Sequence, residues 1–99
     1  MSELIIPEQI LDFVKAMASE SRIRILLLFV DGQERTVNQI TGKVGLGQST
    51  TSEHLTIMKR SGLLTSERQG KEVYYRPNRS QILQHLETLS DLLKNCCAL

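Results

Sequence analysis

The sequence predicts a mainly helical α+β domain in which four helices precede a two-stranded β-hairpin and a fifth helix. Three observations carry this expectation. Apolar residues recur at helical steps near both ends of the chain, a Gly45-Leu46-Gly47 turn divides two short amphipathic stretches, and two β-prone runs flank Gly70-Lys71. The 99 residues, 40% hydrophobic and 23% charged, suit a single domain over residues 1–99 with one modest core. A chain this small leaves much apolar surface in water, so amphipathic helices at its ends are candidates for burial against a second copy.

Pro7 can open the first helix, whose apolar positions are Ile10, Leu11, Val14 and Met17. Ser19 or Ser21 can cap a second helix that runs to Val30, before Asp31-Gly32; being apolar on most sides, it is expected in the core. Thr36 is a cap candidate for a short third helix ending at Lys43 or Val44, with Val37, Ile40 and Val44 inward. After the glycine turn a fourth helix runs from about Ser49 to Ser61, with Glu53 in its first turn, Leu55 and Met58 buried and Gly62 as terminator.

Leu63–Gln69 and Glu72–Arg76 flank a two-residue loop with glycine first, which suits a type II′ hairpin. The last helix, from about Asn78 to Cys97, sets Ile82, Leu86, Leu89, Leu93 and Cys96 at steps of four, three, four and three, widened by Leu83 and Leu92. Such spacing keeps one seam toward a partner helix. We read it as a dimer seam together with Ile10, Leu11 and Val14, since the preceding elements suffice for one small core; the alternative is that it completes the intramolecular core.

Helix, short helix, glycine turn, helix and hairpin, in that order, are the parts of a winged helix-turn-helix, with 36–61 as the helix-turn-helix, 63–76 as the wing, and 1–18 and 78–97 as dimerisation helices. The tight turn fixes the angle at which the next helix projects, so that its first residues reach base edges in the major groove. Gln48, Ser49, Thr50, Ser52, Glu53 and His54 occupy that stretch. They offer hydroxyls for phosphates, an amide suited to adenine and a carboxylate able to accept from cytosine N4. Lys59 and Arg60 can meet phosphates, and Arg68 and Lys71 in the hairpin can approach the minor groove or its backbone. Charge agrees in direction: residues 1–20 hold one lysine against four acids, residues 21–76 nine lysines and arginines against five acids, and the rest two against two. Double-stranded operator DNA is the expected partner.

The stretches Ala18–Leu26, Gln48–Leu55, Met58, Ser61–Leu64 and Arg68–Tyr75 together resemble the ArsR/SmtB family of bacterial metal- and stress-responsive repressors, in the family's order and spacing over nearly the whole chain. The resemblance implies a helical homodimer joined through the first and last helices, a recognition helix carrying Gln48, Ser49, Ser52 and the residue at 53, and release from DNA when an inducer binds. Glu53 departs from the His or Arg usual at its position, so the family's base preference does not carry over.

Two metal sites known in the family have no counterpart here. The thiolate site before the recognition helix meets Thr36-Val37-Asn38-Gln39-Ile40, without cysteine, and the zinc site of the last helix meets Arg79, Gln81, Leu92 and Asn95. Cys96 and Cys97 remain. Some family members bind trivalent arsenic through cysteines near this end, so arsenite or another thiophilic ion is one expected inducer, with a third sulfur needed from elsewhere. A redox or persulfide switch at the same pair is a second reading, and an idle pair of thiols a third. His54 and His85 lack a second ligand nearby in sequence, and packing or phosphate contact is the expected role of the first.

No apolar run approaches the roughly 18 residues that span a bilayer, and Met1–Pro7 lacks the pattern of a signal peptide; a cytoplasmic, non-membrane protein is expected. Glycine-rich phosphate loops, nucleophile elbows and paired His-Glu metal motifs are all missing, which argues against an enzyme. A winged-helix module that binds protein rather than DNA is the rival of another class.

Overall fold

A computed structural model describes residues 6–96 of the chain. Helix α1 (Glu8–Met17) starts at Pro7, whose carbonyl accepts from the Ile10 and Leu11 N–H groups. Of the two serines that could cap α2 (Glu20–Leu27), Ser19 does so, accepting from the Arg22 N–H at 3.3 Å. The helix then tightens into a 3-10 turn, Leu28–Asp31, closed by Gly32 in the left-handed region. This shortens the second helix relative to expectation and limits the core placement expected of it to part of its apolar surface. Ile25 and Phe29 enter the core, while Leu27 and Val30 stand exposed, Val30 at 81%.

A second difference is an additional strand. Arg35–Thr36 forms β1, pairing with β3 (Glu72–Pro77), which in turn pairs with β2 (Leu64–Gln69), so the sheet has three antiparallel strands in the order β1-β3-β2 instead of two. Thr36 still caps α3 (Val37–Val44) through a reciprocal box: its Oγ1 accepts from the Gln39 N–H, and Gln39 Oε1 accepts from the Thr36 N–H. Gly45 ends α3 with φ +73, a conformation that costs glycine nothing. Helix α4 (Gln48–Arg60) begins one residue earlier than the spacing suggests, with Gly47 as N-cap and the Thr51 hydroxyl donating to the Gly47 carbonyl.

The end of α4 is closed by two bonds running backward, Leu63 N–H to the Met58 carbonyl and Gly62 N–H to the Lys59 carbonyl, about a left-handed Gly62. That is the Schellman arrangement. It turns the chain directly into β2, and Leu63 and Leu64 plunge into the core beside Phe13, Ile25, Ile40, Leu55 and Met58. In the hairpin only Gly70 of the two loop residues has positive φ, as the type II′ reading requires. Helix α5 (Arg79–Cys96) starts where Asn78 accepts from the Ile82 N–H through its carbonyl and from the Gln81 N–H through its side chain. The molecule measures 52 Å along its longest axis against 23 and 21 Å across.

The seam anticipated on α5 is divided by the fold. Ile82 packs against the core and His85, 6% exposed, stacks obliquely on Phe13 of α1, whereas Leu83, Leu86 and Leu93 face outward and Leu89 is half-buried. On α1 the inward stripe is Ile10, Phe13 and Ala16, and the outward apolar pair is Leu11 and Val14. Ile10, expected at a dimer interface, is therefore a correction: at 4% exposure it is buried by its own chain. Its three-residue step to Phe13 decides which side of α1 turns inward.

Candidate nucleic-acid interface

Helix α4 is seated by Thr51, Leu55 and Met58, all with 0% exposure, on a bed that includes Ile25 and Ile40. With one face fixed, the other is fixed too. Gln48, Ser49, Thr50, Ser52 and Glu53 stand exposed over the first turn and a half, and Lys59 and Arg60 are exposed in the last turn. The helix N-terminus presents free N–H groups and a partial positive charge, a ready partner for a phosphate. Hydroxyls and an amide beside it carry the chemistry of base and backbone contact.

His54 is different. It is half-buried, and its Nδ1 lies 3.3 Å from a terminal guanidinium nitrogen of Arg22. A guanidinium only donates, so this contact is a hydrogen bond when the imidazole is neutral at Nδ1. Arg22 also donates through Nε to the Ala16 carbonyl at 2.8 Å and through its other terminal nitrogen to the Lys15 carbonyl at 3.4 Å. One side chain thus ties the C-terminus of α1 to α2 and to the flank of α4. His54, grouped in the sequence with the candidate DNA-binding residues, turns this nitrogen toward Arg22 of α2, in keeping with the packing role expected of it. Arg22 escapes sequence reasoning as a positioning residue because its partners are carbonyls and a histidine 32 positions away, which no local spacing reveals.

The wing separates its charges by strand alternation. Register pairs Arg68 with Val73 and Ser66 with Tyr75, on the sheet face that continues to buried Leu64. Glu67 and Glu72 lie on the opposite face, where Gln69 bridges Glu67 to Glu34 and Arg76 pairs with Glu34 at 3.4 Å. Arg68 and Lys71 take part in no ion pair among the described residues. They remain available to an external anion. At the root of the sheet, Arg35 is buried and grips the Asp31 carboxylate through both terminal nitrogens, one of which also donates to the Leu28 carbonyl at 2.6 Å. That guanidinium holds the Asp31 carboxyl down to about 2.

Away from α4, the outward leucines of α5 line a groove of about 590 Å³ formed by Leu86, Leu89, Ser90, Leu93 and Lys94. Cys96 is exposed at the end of the same helix, and Cys97 lies outside the described residues. Among the described residues no three His, Cys, Asp or Glu side chains gather as metal ligands, so the chain's described part contributes one thiol to any soft-ion site. No helix among them is long and apolar enough to cross a membrane.

A seated helix with an exposed polar start, a tight glycine turn before it and a basic hairpin after it define a winged helix-turn-helix domain. The family model of the bacterial regulatory proteins of the arsR family matches residues 19–66. The chain is 32% identical over 79 residues to the transcriptional activator HlyU of Vibrio cholerae, a match covering 80% of this chain and 72% of the relative. It is 38% identical over 74 residues to the transcriptional repressor SmtB of Mycobacterium tuberculosis, covering 71% of this chain but 54% of that protein's length. In structure it is similar to the homodimeric winged helix-turn-helix DNA-binding domain of a possible ArsR-family regulator from Mycobacterium bovis, with TM-score 0.71, 27% identity and coverage of 96% of this chain and 91% of that one. The chain belongs to the ArsR family of transcriptional regulators.

Proposed function

We propose that the protein is a cytoplasmic, sequence-specific repressor that binds double-stranded operator DNA as a homodimer and leaves it when an inducer binds. The observation that carries this reading is the joint exposure of Gln48, Ser49, Ser52 and Glu53 at the start of a rigidly seated helix, with unpaired Arg68 and Lys71 on the wing. Bases are read by the helix and backbone charge by the wing. The outward faces of α1 and α5 supply the surface for the second copy, and the similar Mycobacterium bovis domain is homodimeric. Repression is preferred to activation on the resemblance to SmtB.

For the inducer we propose arsenite or another thiophilic ion at Cys96 and Cys97, with a third sulfur from the partner chain or a small thiol. The exposure of Cys96 favours this, and equally favours oxidation or persulfidation of the same pair. One set of gel shifts tests the whole reading. Replacing Arg68 and Lys71 together by Ala is expected to weaken operator binding and flatten its salt dependence by about 0.9 in log-log slope for each phosphate that the wing no longer neutralises. Arsenite is expected to release operator from the native protein but not from the double variant Cys96→Ser, Cys97→Ser. An unchanged slope removes the wing's role; release by polysulfide alone transfers the switch to sulfur chemistry, and equal release of both proteins removes the cysteines from sensing.

A further inference from the structure

Beside α4, on the flank that faces α1, two cavities of about 290 and 220 Å³ adjoin through shared walls at Asp12, Arg60 and Ser61. Lys15 of α1 and Arg22 of α2 line the first, and Lys59 of α4 lines the second. The cleft therefore gathers four cations around one carboxylate, in a chain whose net charge is only +1. None of these five groups is in an ion pair among the described residues.

Helix dipoles account for part of this. The C-termini of α1 and α4 both end here, and each carries roughly half a negative charge that a nearby Lys or Arg complements. Two such ends and Asp12 together offset about two of the four positive charges, leaving an excess of about +2. The surplus is held in a concave site, where an ion is less well screened than on an open surface.

Arg22 shows that the cleft is built and not a chance gathering of long side chains. Its guanidinium is half-buried and fixed by the Ala16 and Lys15 carbonyls and by His54. Those three acceptors occupy three of the five N–H groups a guanidinium has. The other two have no acceptor among the described residues, on a planar donor held at three points.

We propose that this cleft is a phosphate-binding site, separate from the reading end of α4, in which Arg22 is the fixed donor and Lys15 and Arg60 close on the anion. A tetrahedral dianion or a phosphodiester matches the surplus charge, and the phosphate can belong to the operator backbone or to a free phosphorylated compound. The first source rests on the operator-binding reading above; the second does not.

Two substitutions on α1, away from the fold's core, test the site in opposite directions. Lys15→Gln removes a cation and Asp12→Asn removes the carboxylate. With inorganic pyrophosphate as probe in calorimetric titration, Lys15→Gln is expected to weaken binding about tenfold, as removal of one charge-assisted hydrogen bond does, and Asp12→Asn to tighten it. With operator DNA, Lys15→Gln is expected to lower the log-log salt slope by about 1 per protomer while Asp12→Asn raises affinity. A response to pyrophosphate without a change in slope identifies a free phosphate compound as the ligand; a change in slope without pyrophosphate binding identifies the DNA backbone. If neither substitution alters pyrophosphate binding or the slope, the proposal is overturned, even where the Arg68, Lys71 double variant shows that operator binding itself stands.

Discussion

At the scale of single residues, the clearest electrostatic commitment lies outside the interface. Asp31 and Arg35 close the 3-10 turn onto β1, and the Arg35 side chain has the half-buried Leu28 carbonyl as a further acceptor. The hydrogen bond from Arg35 is the largest cause of the fall of the Asp31 carboxyl from 3.8 to about 2, and the Gln33 N–H adds to it. A carboxyl lowered in the folded state binds protons more readily when unfolded, so the stabilisation is complete above about pH 4 and is lost as pH falls through about 2. Urea midpoints between pH 7 and pH 2 are expected to decline over that window more in the native protein than in Asp31→Asn. Parallel curves would show that the pair does not contribute. The sequence exposed Asp31-Gly32 only as a helix stop; the pairing with Arg35 spans a turn whose 3-10 geometry no periodicity announces. The polar start of α4 was legible for the opposite reason, since Gln48, Ser49, Thr50, Ser52 and Glu53 follow directly on a glycine turn and stand outward, with Thr51 alone among them turned into the core.

Among elements, the junction from α4 into β2 decides how firmly the recognition helix is held. Gly62 has φ +82, and a β-carbon there would lie 2.9 Å from Cγ of Gln81 on α5. Gln81 is itself bonded to buried His85 at 2.9 Å, so it is not a freely yielding neighbour. Gly62→Ala is therefore expected to destabilise the fold by more than about 1 kcal/mol, against an exposed turn such as Gly70, where nothing lies within 4 Å and only the φ penalty applies. Chemical denaturation of the two Ala variants measures the difference; equal destabilisation would show that the approach to α5 is immaterial. The sequence marked Gly62 as a terminator, and the Schellman bonds explain why it is one. It did not mark β1, because two residues paired to Tyr74 and Tyr75 make a strand only through a partner far along the chain. Nor did periodicity say which side of an apolar helix is inward: α2 reads as apolar on most sides, yet Val30, in the 3-10 turn after Leu27, stands in solvent.

For the whole molecule, the question is what becomes of apolar surface that one chain cannot cover. Leu11 and Val14 on α1 and Leu83, Leu86 and Leu93 on α5 are all more than a third exposed. Each of the two helices thus leaves apolar residues outward while others on it fill the core. This explains why a single seam running from Ile82 to Cys96 was legible as a stripe but not as a boundary. The regular steps of four and three place Ile82 and Leu86 on one line, but the core reaches Ile82 and leaves Leu86 and Leu93, farther along the helix, exposed. Replacing both of these with Glu is expected to separate the dimer, because burying an unpaired carboxylate in an apolar contact costs far more than leaving it in water. Both side chains are about half exposed, at 45% and 53%, so the monomer's own fold is expected to survive. Sedimentation velocity at micromolar concentration is expected to show the native chain as a dimer and the double variant as a monomer with unchanged helical circular dichroism. Operator affinity should fall with it, since two reading helices must be held a duplex turn apart to engage both half-sites. A double variant that stays dimeric would place the interface elsewhere, and one that is monomeric yet binds operator at native strength would detach dimerisation from DNA recognition.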